Sequence, residues 1–119
     1  MSWEVEYTDE FAAWWNGLSM GEQESVAAVV GVLEQLGPQL PFPYSSDIRS
    51  AKRHTIRELR IQHGGDPYRV LYAFDPRRMA ILVLGGIKAG DDGWYEAHVS
   101  RAEALFDEHL EQLRKEGLP

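Results

Sequence analysis

Apolar residues change their spacing several times along this chain, and each change marks an element. Trp3, Val5 and Tyr7 alternate with Glu4 and Glu6, the period of a short strand with one wet face. Phe11, Trp14, Trp15 and Leu18 then recur at helical spacing. Thr8 precedes them as an N-cap, and Asp9 and Glu10 suit the positive end of the helix dipole. Ser19-Met20-Gly21-Glu22 has the Ser-x-x-Glu form of a capping box and opens a second helix. Val26, Val29, Val30, Leu33 and Leu36 give it one apolar face, and Gly37-Pro38 stops it. So short a turn between two helices predicts an antiparallel helical hairpin. The stretch Pro38 to Pro43 can sustain neither a helix nor a central strand and reads as an ordered loop.

From Arg57 the period becomes that of strands. Arg57–His63, Tyr68–Asp75 and Met79–Ile87 are rich in Ile, Val, Leu and Tyr, and the connections Gly64-Gly65-Asp66-Pro67 and Pro76-Arg77-Arg78 force hairpins. The third run is apolar on both faces, with Met79, Ile81 and Val83 on one and Ala80, Leu82 and Leu84 on the other. It must be central or covered by helices on each side. Trp94-Tyr95-Glu96 begins helical structure. Ser100-Arg101-Ala102-Glu103 repeats the capping-box pattern and predicts a separate last helix, with Leu105, Phe106, His109, Leu110 and Leu113 as its stripe. The order β-α-α-β-β-β-α is that of an α+β fold: an N-terminal helical hairpin packed on a curved antiparallel sheet, with a C-terminal helix. With 119 residues and no repeat or linker, one domain with one core over residues 1–119 is expected.

Composition narrows the functions available. A hydrophobic fraction of 44% fits a folded chain. Without cysteine there is no disulfide framework, no thiolate zinc site and no cysteine nucleophile. The start lacks a basic region followed by an apolar run, and the longest apolar stretch, Met79 to Leu84, is too short to span a bilayer. A cytoplasmic protein without a membrane partner is the expectation. The net charge of -7 argues against generic nucleic-acid binding, but it is unevenly spread. Residues 1–47 carry 8 acids and no Lys or Arg, residues 48–88 carry 9 Lys and Arg against 3 acids, and residues 89–119 are again acidic. A basic middle between acidic ends can form a local anion site; it can equally be a solvated mixed surface.

Other chemistry fits less well. His54, His63, His98 and His109 have no metal-ligand spacing, and Asp91-Asp92 reads as an exposed turn, so no metal is expected. His63 reads as a turn cap and His109 as a core-edge residue. Gly85-Gly86-Ile87-Lys88 lacks the spacing of a phosphate-binding loop, and no small-molecule cofactor is expected. The two tryptophans of the first helix are read as core rather than as a base-stacking platform. What remains is cationic: Arg57 and Arg60 from the first meander strand, Arg69 from the second and Lys88 from the end of the third. Adjacent hairpins can bring them to one side of the sheet. Arg69 shares parity with Leu71 and Ala73, a face of little bulk that leaves space for a ligand. Guanidinium groups can bind two phosphate oxygens at once, so a phosphodiester suits them. Separate salt bridges to Glu58, Asp66 and Asp75 are the other reading.

The stretch 58–110 resembles the phage-derived HigB-like toxins of the RelE/ParE superfamily. The resemblance lies in Glu58-Leu59-Arg60, Tyr68-Arg69-Val70-Leu71-Tyr72, Asp75-Pro76-Arg77-Arg78, Gly85-Gly86 with Lys88, and Trp94-Tyr95-Glu96, in that order and spacing. Ser2 to Trp15 is similar too, so nearly the whole chain is covered. The resemblance implies a RelE-like fold and the toxin of a type II toxin–antitoxin system. It further implies a ribosome-dependent mRNA endoribonuclease, or mRNA interferase, that needs no metal and inhibits translation. The implied partners are the ribosome with its mRNA and a cognate antitoxin, usually carrying a helix-turn-helix domain. By the same resemblance the catalytic residues are Arg60, Arg69 and Lys88. The arginines would neutralise charge on the scissile phosphate, and Lys88 would help activate the 2′-hydroxyl or protonate the leaving oxygen. Lys52, Arg53 and Arg57 would hold flanking RNA or ribosomal RNA, and Tyr95 would stack on a base or donate to the phosphate, or equally serve as a hydrophobic anchor beside Trp94. The sequence departs from the family at Ile87, often acidic in relatives, and at Ala89, often Thr. The same superfamily leaves open a ParE-like toxin acting on DNA gyrase, or an inactive phage-derived binding module.

Overall fold

A computed structural model describes residues 2–88, 90 and 93–118. The elements follow as β1 (Val5–Tyr7), α1 (Asp9–Asn16), α2 (Met20–Leu36), β2 (Ser45–Asp47), β3 (Arg57–His63), β4 (Asp66–Phe74), β5 (Ala80–Ile87) and α3 (Gly93–Lys115). One five-stranded sheet runs β1-β5-β4-β3-β2. The predicted meander is its centre: β3 pairs with β4 and β4 with β5, both antiparallel. Two short strands complete it. β1 pairs parallel with β5, and β2 pairs antiparallel with β3, in a stretch where no strand is expected from the sequence. Three residues are too few to show a period, so β2 is made by its partner and not by its own pattern.

Both helix starts in the hairpin form as their capping residues predict. The Thr8 side chain accepts from the Phe11 amide at 3.0 Å, and its hydroxyl donates to the Val83 carbonyl at 2.5 Å, which ties α1 to β5. Ser19 and Glu22 close a capping box, and the second Glu22 oxygen accepts from the Tyr68 hydroxyl on β4. That contact pushes the Tyr68 phenol up to about 12. Gly37 ends α2 and starts a single 3-10 turn through Gln39, which corrects the reading of Pro38 to Pro43 as loop throughout.

The sheet is covered on both faces, so there are two core clusters rather than the one expected. Phe11, Val26 and Leu33 from the hairpin pack on Leu59, Ile61, Val70 and Tyr72, with Trp14 and Trp15 partly buried against them. On the other face Val99, Ala102, Leu105 and Phe106 of α3 cover Leu71, Ala73, Ile81 and Val83. The doubly apolar β5 is accordingly both central and sandwiched. Its register slips between Leu71 and Tyr72, where β5 carries one residue more than β4. Leu84 therefore joins Ile81 and Val83 in the α3 cluster, not Ala80 and Leu82 as strict alternation predicts. Gly85 in turn lies against Trp14: a Cβ there would stand 2.3 Å from the ring. Gly85→Ala should cost about 1–3 kcal/mol by overpacking, read as a lower urea midpoint. A change below about 0.5 kcal/mol would show that the ring moves aside.

The last helix is continuous, and the expected restart at Ser100 does not occur. Glu103 is buried, and its carboxylate accepts from the backbone amides of Lys52, Arg53 and His54 at 3.1, 2.6 and 3.1 Å, so it anchors a distant loop instead of capping its own helix. Asp75 plays a similar part in the Asp75-Pro76-Arg77-Arg78 turn, accepting from Arg77, from the Met79 amide and from His109 Nε2 at 2.9 Å. Burial pushes both carboxyls up, but these donors outweigh it and hold both below their ordinary values. Such groups contribute stability that is fully present above the unfolded pKa of about 4 and is lost as pH falls through the folded values. The urea midpoint should therefore decline below about pH 4; one that stays flat to about pH 3 would contradict this. Among the described residues no helix is long and apolar enough to cross a membrane.

Candidate functional site

The pairing of β3 with β4 decides the site. Arg60 and Arg69 are direct cross-strand partners, and Gly86 lies opposite Arg69 on the far side. Two cations at facing positions repel, and one carboxylate compensates both. Glu58, two residues before Arg60 and so on the same face of β3, is 4% exposed. Its Oε1 lies 3.3 Å from Arg69 Nε and its Oε2 lies 3.4 Å from an Arg60 nitrogen. Ser46 donates to Oε2 at 2.6 Å and the Tyr95 hydroxyl to Oε1 at 2.5 Å. Burial pushes the Tyr95 phenol up, the Glu58 carboxylate adds to this, and the neighbouring Arg69 guanidinium opposes it.

Arg69 is 6% exposed, because α3 covers the Leu71 and Ala73 face; the open space expected beside them is filled. One Arg69 nitrogen donates to the Tyr68 carbonyl at 3.0 Å. Its Nε is buried without a hydrogen-bond partner, since the approach to Glu58 is close enough for an ion pair but badly angled for a hydrogen bond. Arg60 is more open, and its guanidinium carbon lies 5.1 Å from the Phe42 ring centroid. Lys88 extends the ladder by donating its amide to the Pro67 carbonyl at 2.8 Å, and its Nζ lies 5.6 Å from the Tyr95 ring centroid. Arg60, Arg69 and Tyr95 thus converge on one carboxylate, Glu58, and Lys88 lies over the Tyr95 ring.

The remaining cations are tied elsewhere. Arg57 points to the opposite face of β3, where it donates to Ser45 Oγ and to the Leu40 carbonyl and pairs with Asp47 at 3.2 Å. The Lys52 and Arg53 segment sits on Glu103, eight residues along α3 from Tyr95 or roughly 12 Å of helix, and Arg53 pairs with Asp107 at 2.6 Å. The two readings of the basic middle therefore divide by residue. Separate salt bridges hold Arg53, Arg57 and Arg77, while Arg60 and Arg69 converge. His63 does not cap its turn; its Nδ1 meets Ser25 Oγ of α2 at 2.8 Å. Ala89, Asp91 and Asp92 lie outside the described residues. Among the described residues no group of three or more His, Asp or Glu side chains is placed to hold a metal.

Two openings adjoin the cluster. A groove of about 470 Å³ runs between α2 and Pro43-Tyr44, lined by Arg60, Arg69, Gln62, Ser25 and apolar neighbours, with no acid among its lining residues. A larger cleft of about 940 Å³ by Tyr95 is lined by Asp47, Glu58 and Glu96 against Arg49 and does not favour an anion. Sequence reasoning missed Tyr44 at the first opening and Phe42 against Arg60 beside it, and took Glu58 for a surface partner. The signal for the aromatics was their place beside Pro41 and Pro43, where no helix or strand can draw them inward.

Residues 13–107 match the family described as "Phage derived protein Gp49-like (DUF891)". The chain belongs to that family. Two proteins of Mycobacterium tuberculosis (strain ATCC 25618 / H37Rv) are similar to this chain. The one named "Putative toxin HigB2" is 38% identical over 107 residues, 88% of this chain and 53% of its own length. The one named "Putative toxin HigB3" is 37% identical over 98 residues, 82% of this chain and 84% of its own length. The chain therefore spans about half of the first relative and most of the second. The expected RelE-like fold is the observed one. A mutant of the E. coli toxin RelE in the free state is similar with a TM-score of 0.61 at 15% identity, covering 85% of this chain and 98% of that one. The RelE of an archaeal RelE–RelB complex from Pyrococcus horikoshii OT3 is similar with a TM-score of 0.55 at 13% identity, covering 76% and 100%. At such identities the likeness is one of fold.

Proposed function

We propose that this Gp49-like chain is the toxin of a type II toxin–antitoxin system, a single domain over residues 1–119 that cuts mRNA on the ribosome without a metal. The observation that carries this reading is the convergence of Arg60, Arg69 and Tyr95 on Glu58, with Lys88 over the Tyr95 ring and the two arginines lining a groove free of acids. Kinship with two proteins named as toxins and a RelE-like fold support it. RNA supplies its own nucleophile. The 2′-oxygen forms a bond to phosphorus as the bond to the 5′-oxygen breaks, and a proton leaves the 2′-hydroxyl while another reaches the leaving oxygen. Arg69 and Arg60 stabilise the charge that builds on the phosphoryl oxygens, with Glu58 holding both guanidiniums in place. Lys88 serves the proton transfers. Tyr95, held by Glu58, orients the arginines through that shared carboxylate. Lys52 and Arg53, set apart from the cluster, serve flanking phosphates, and Arg57 contributes least because its guanidinium is already committed.

A chain of net charge -7 neutralises few phosphates on free RNA and depends on the ribosome to present mRNA. Its partner is a cognate antitoxin with a helix-turn-helix domain, as RelE is paired with RelB in the solved complexes, and its place is the cytoplasm. Induced expression should arrest growth, with primer-extension cuts in a translating extract and few in protein-free RNA. Arrest without cuts, together with loss of gyrase supercoiling, would replace this reading by the gyrase-directed one. Neither arrest nor cuts would leave a binding module.

A further inference from the structure

The segment between α2 and β2 leaves two large aromatics in solvent: Phe42 is 69% exposed and Tyr44 43%. Single exposed apolar residues are ordinary, and what separates these is their company. Arg60 lies over the Phe42 ring, with its guanidinium carbon at 5.1 Å from the centroid. Tyr44 lines the 470 Å³ groove together with Arg60, Arg69, Gln62 and Ser25. Beyond Arg60, whose amide donates to the Tyr44 carbonyl at 2.9 Å, β2 no longer pairs with β3, so the groove opens at a free sheet edge. The opening thus joins the Tyr44 ring, the Gln62 amide, the Ser25 hydroxyl and Arg60, with no acid among its lining residues, and Phe42 adjoins it through Arg60. Arg60 makes one 3.4 Å contact with Glu58, and its other guanidinium nitrogens have no hydrogen-bond partner among the described residues.

We infer that this groove, with the exposed Phe42 ring that adjoins it across Arg60, is a nucleotide subsite, in which a base stacks on the free face of Phe42, Arg60 holds the adjoining phosphate and the Gln62 amide meets the edge of the base. The inference deepens the proposed RNA cleavage and rests on it for the substrate class. It adds that the chain itself selects a base next to the cut. Stacking on an aromatic tolerates any base, because each has a π-face, whereas an amide distinguishes donors from acceptors. Phe42 therefore supplies affinity and Gln62 supplies preference.

The test titrates the full chain with a ribonucleotide trimer at low salt, followed by NMR, beside mapping of ribosome-dependent cuts. Phe42→Leu keeps apolar bulk and removes the π-face, and Phe42→Tyr restores it. Trimer affinity should fall about tenfold or more in Phe42→Leu and recover in Phe42→Tyr, and Gln62→Ala should redistribute the cut positions. Unchanged affinity in Phe42→Leu with an unchanged cut pattern in Gln62→Ala overturns the subsite and leaves cleavage standing. A wild-type chain that binds the trimer through Phe42 and cuts nothing leaves the subsite standing and removes cleavage. If Phe42→Leu spares the trimer but loses a co-expressed antitoxin, the patch is a protein-docking surface and the inference is overturned.

Discussion

Arg69→Ala is expected to abolish growth arrest and to lower ribosome-dependent cleavage by about 10²–10³-fold, the loss typical of removing one preorganised donor to a developing oxyanion. Arg69 faces Arg60 across β3 and β4, an arrangement that opposes stability and is relieved by a single buried carboxylate. Its Nε lies 3.3 Å from Glu58 Oε1, an ion pair without hydrogen-bond geometry. Alanine relieves the repulsion but leaves the buried Glu58 carboxylate with Arg60 as its remaining cation, so stability should fall as well as activity. The diagnostic is therefore cleavage per folded molecule: a purely structural arginine would leave it unchanged in the fraction that folds. Arg69→Lys keeps the charge but lacks the planar fork for two phosphate oxygens, and it should be nearly as impaired. A folded Arg69→Ala protein that still arrests growth would take Arg69 out of the site.

Glu103→Ala should produce the largest loss of stability, about 3 kcal/mol, or a fall in melting temperature on the order of 10 °C. The residue is buried, and one of its oxygens accepts three consecutive backbone amides, from Lys52 to His54. Without it those donors lose their acceptor, and the loop that carries Ile48 and Ile56 into the α3 cluster loses its anchor. Glu103→Gln retains an acceptor without charge and should lose less. Hydrogen exchange at residues 52–54 should accelerate in the alanine variant before the sheet amides do. A loss below about 0.5 kcal/mol would mean that the loop is held by its apolar residues alone.

The local signals read well from the sequence because each depends on neighbours in the chain. The Thr8 cap, the Ser19–Glu22 box, the Gly37 stop and the three central strands are short-range matters of capping, backbone conformation and period. The Ser100–Glu103 pattern looks identical to the first box, yet its glutamate turns to amides some fifty residues earlier in the chain. Nothing within four residues distinguishes the two. β2 was illegible because a three-residue edge strand has no period of its own, and Leu84 changed face because one extra residue in a ladder shifts every side chain beyond it.

The chain by itself determined the layers, the capped hairpin, the doubly apolar central strand and the presence of a basic middle, since these follow from spacing and charge along one dimension. Only the tertiary structure decided which cations meet. Register set Arg60 opposite Arg69, parity turned Arg57 away, and α3 brought Tyr95 to the same buried Glu58. Strand pairing and helix packing fix these distances to within a side chain, and no count of charges along the sequence contains them.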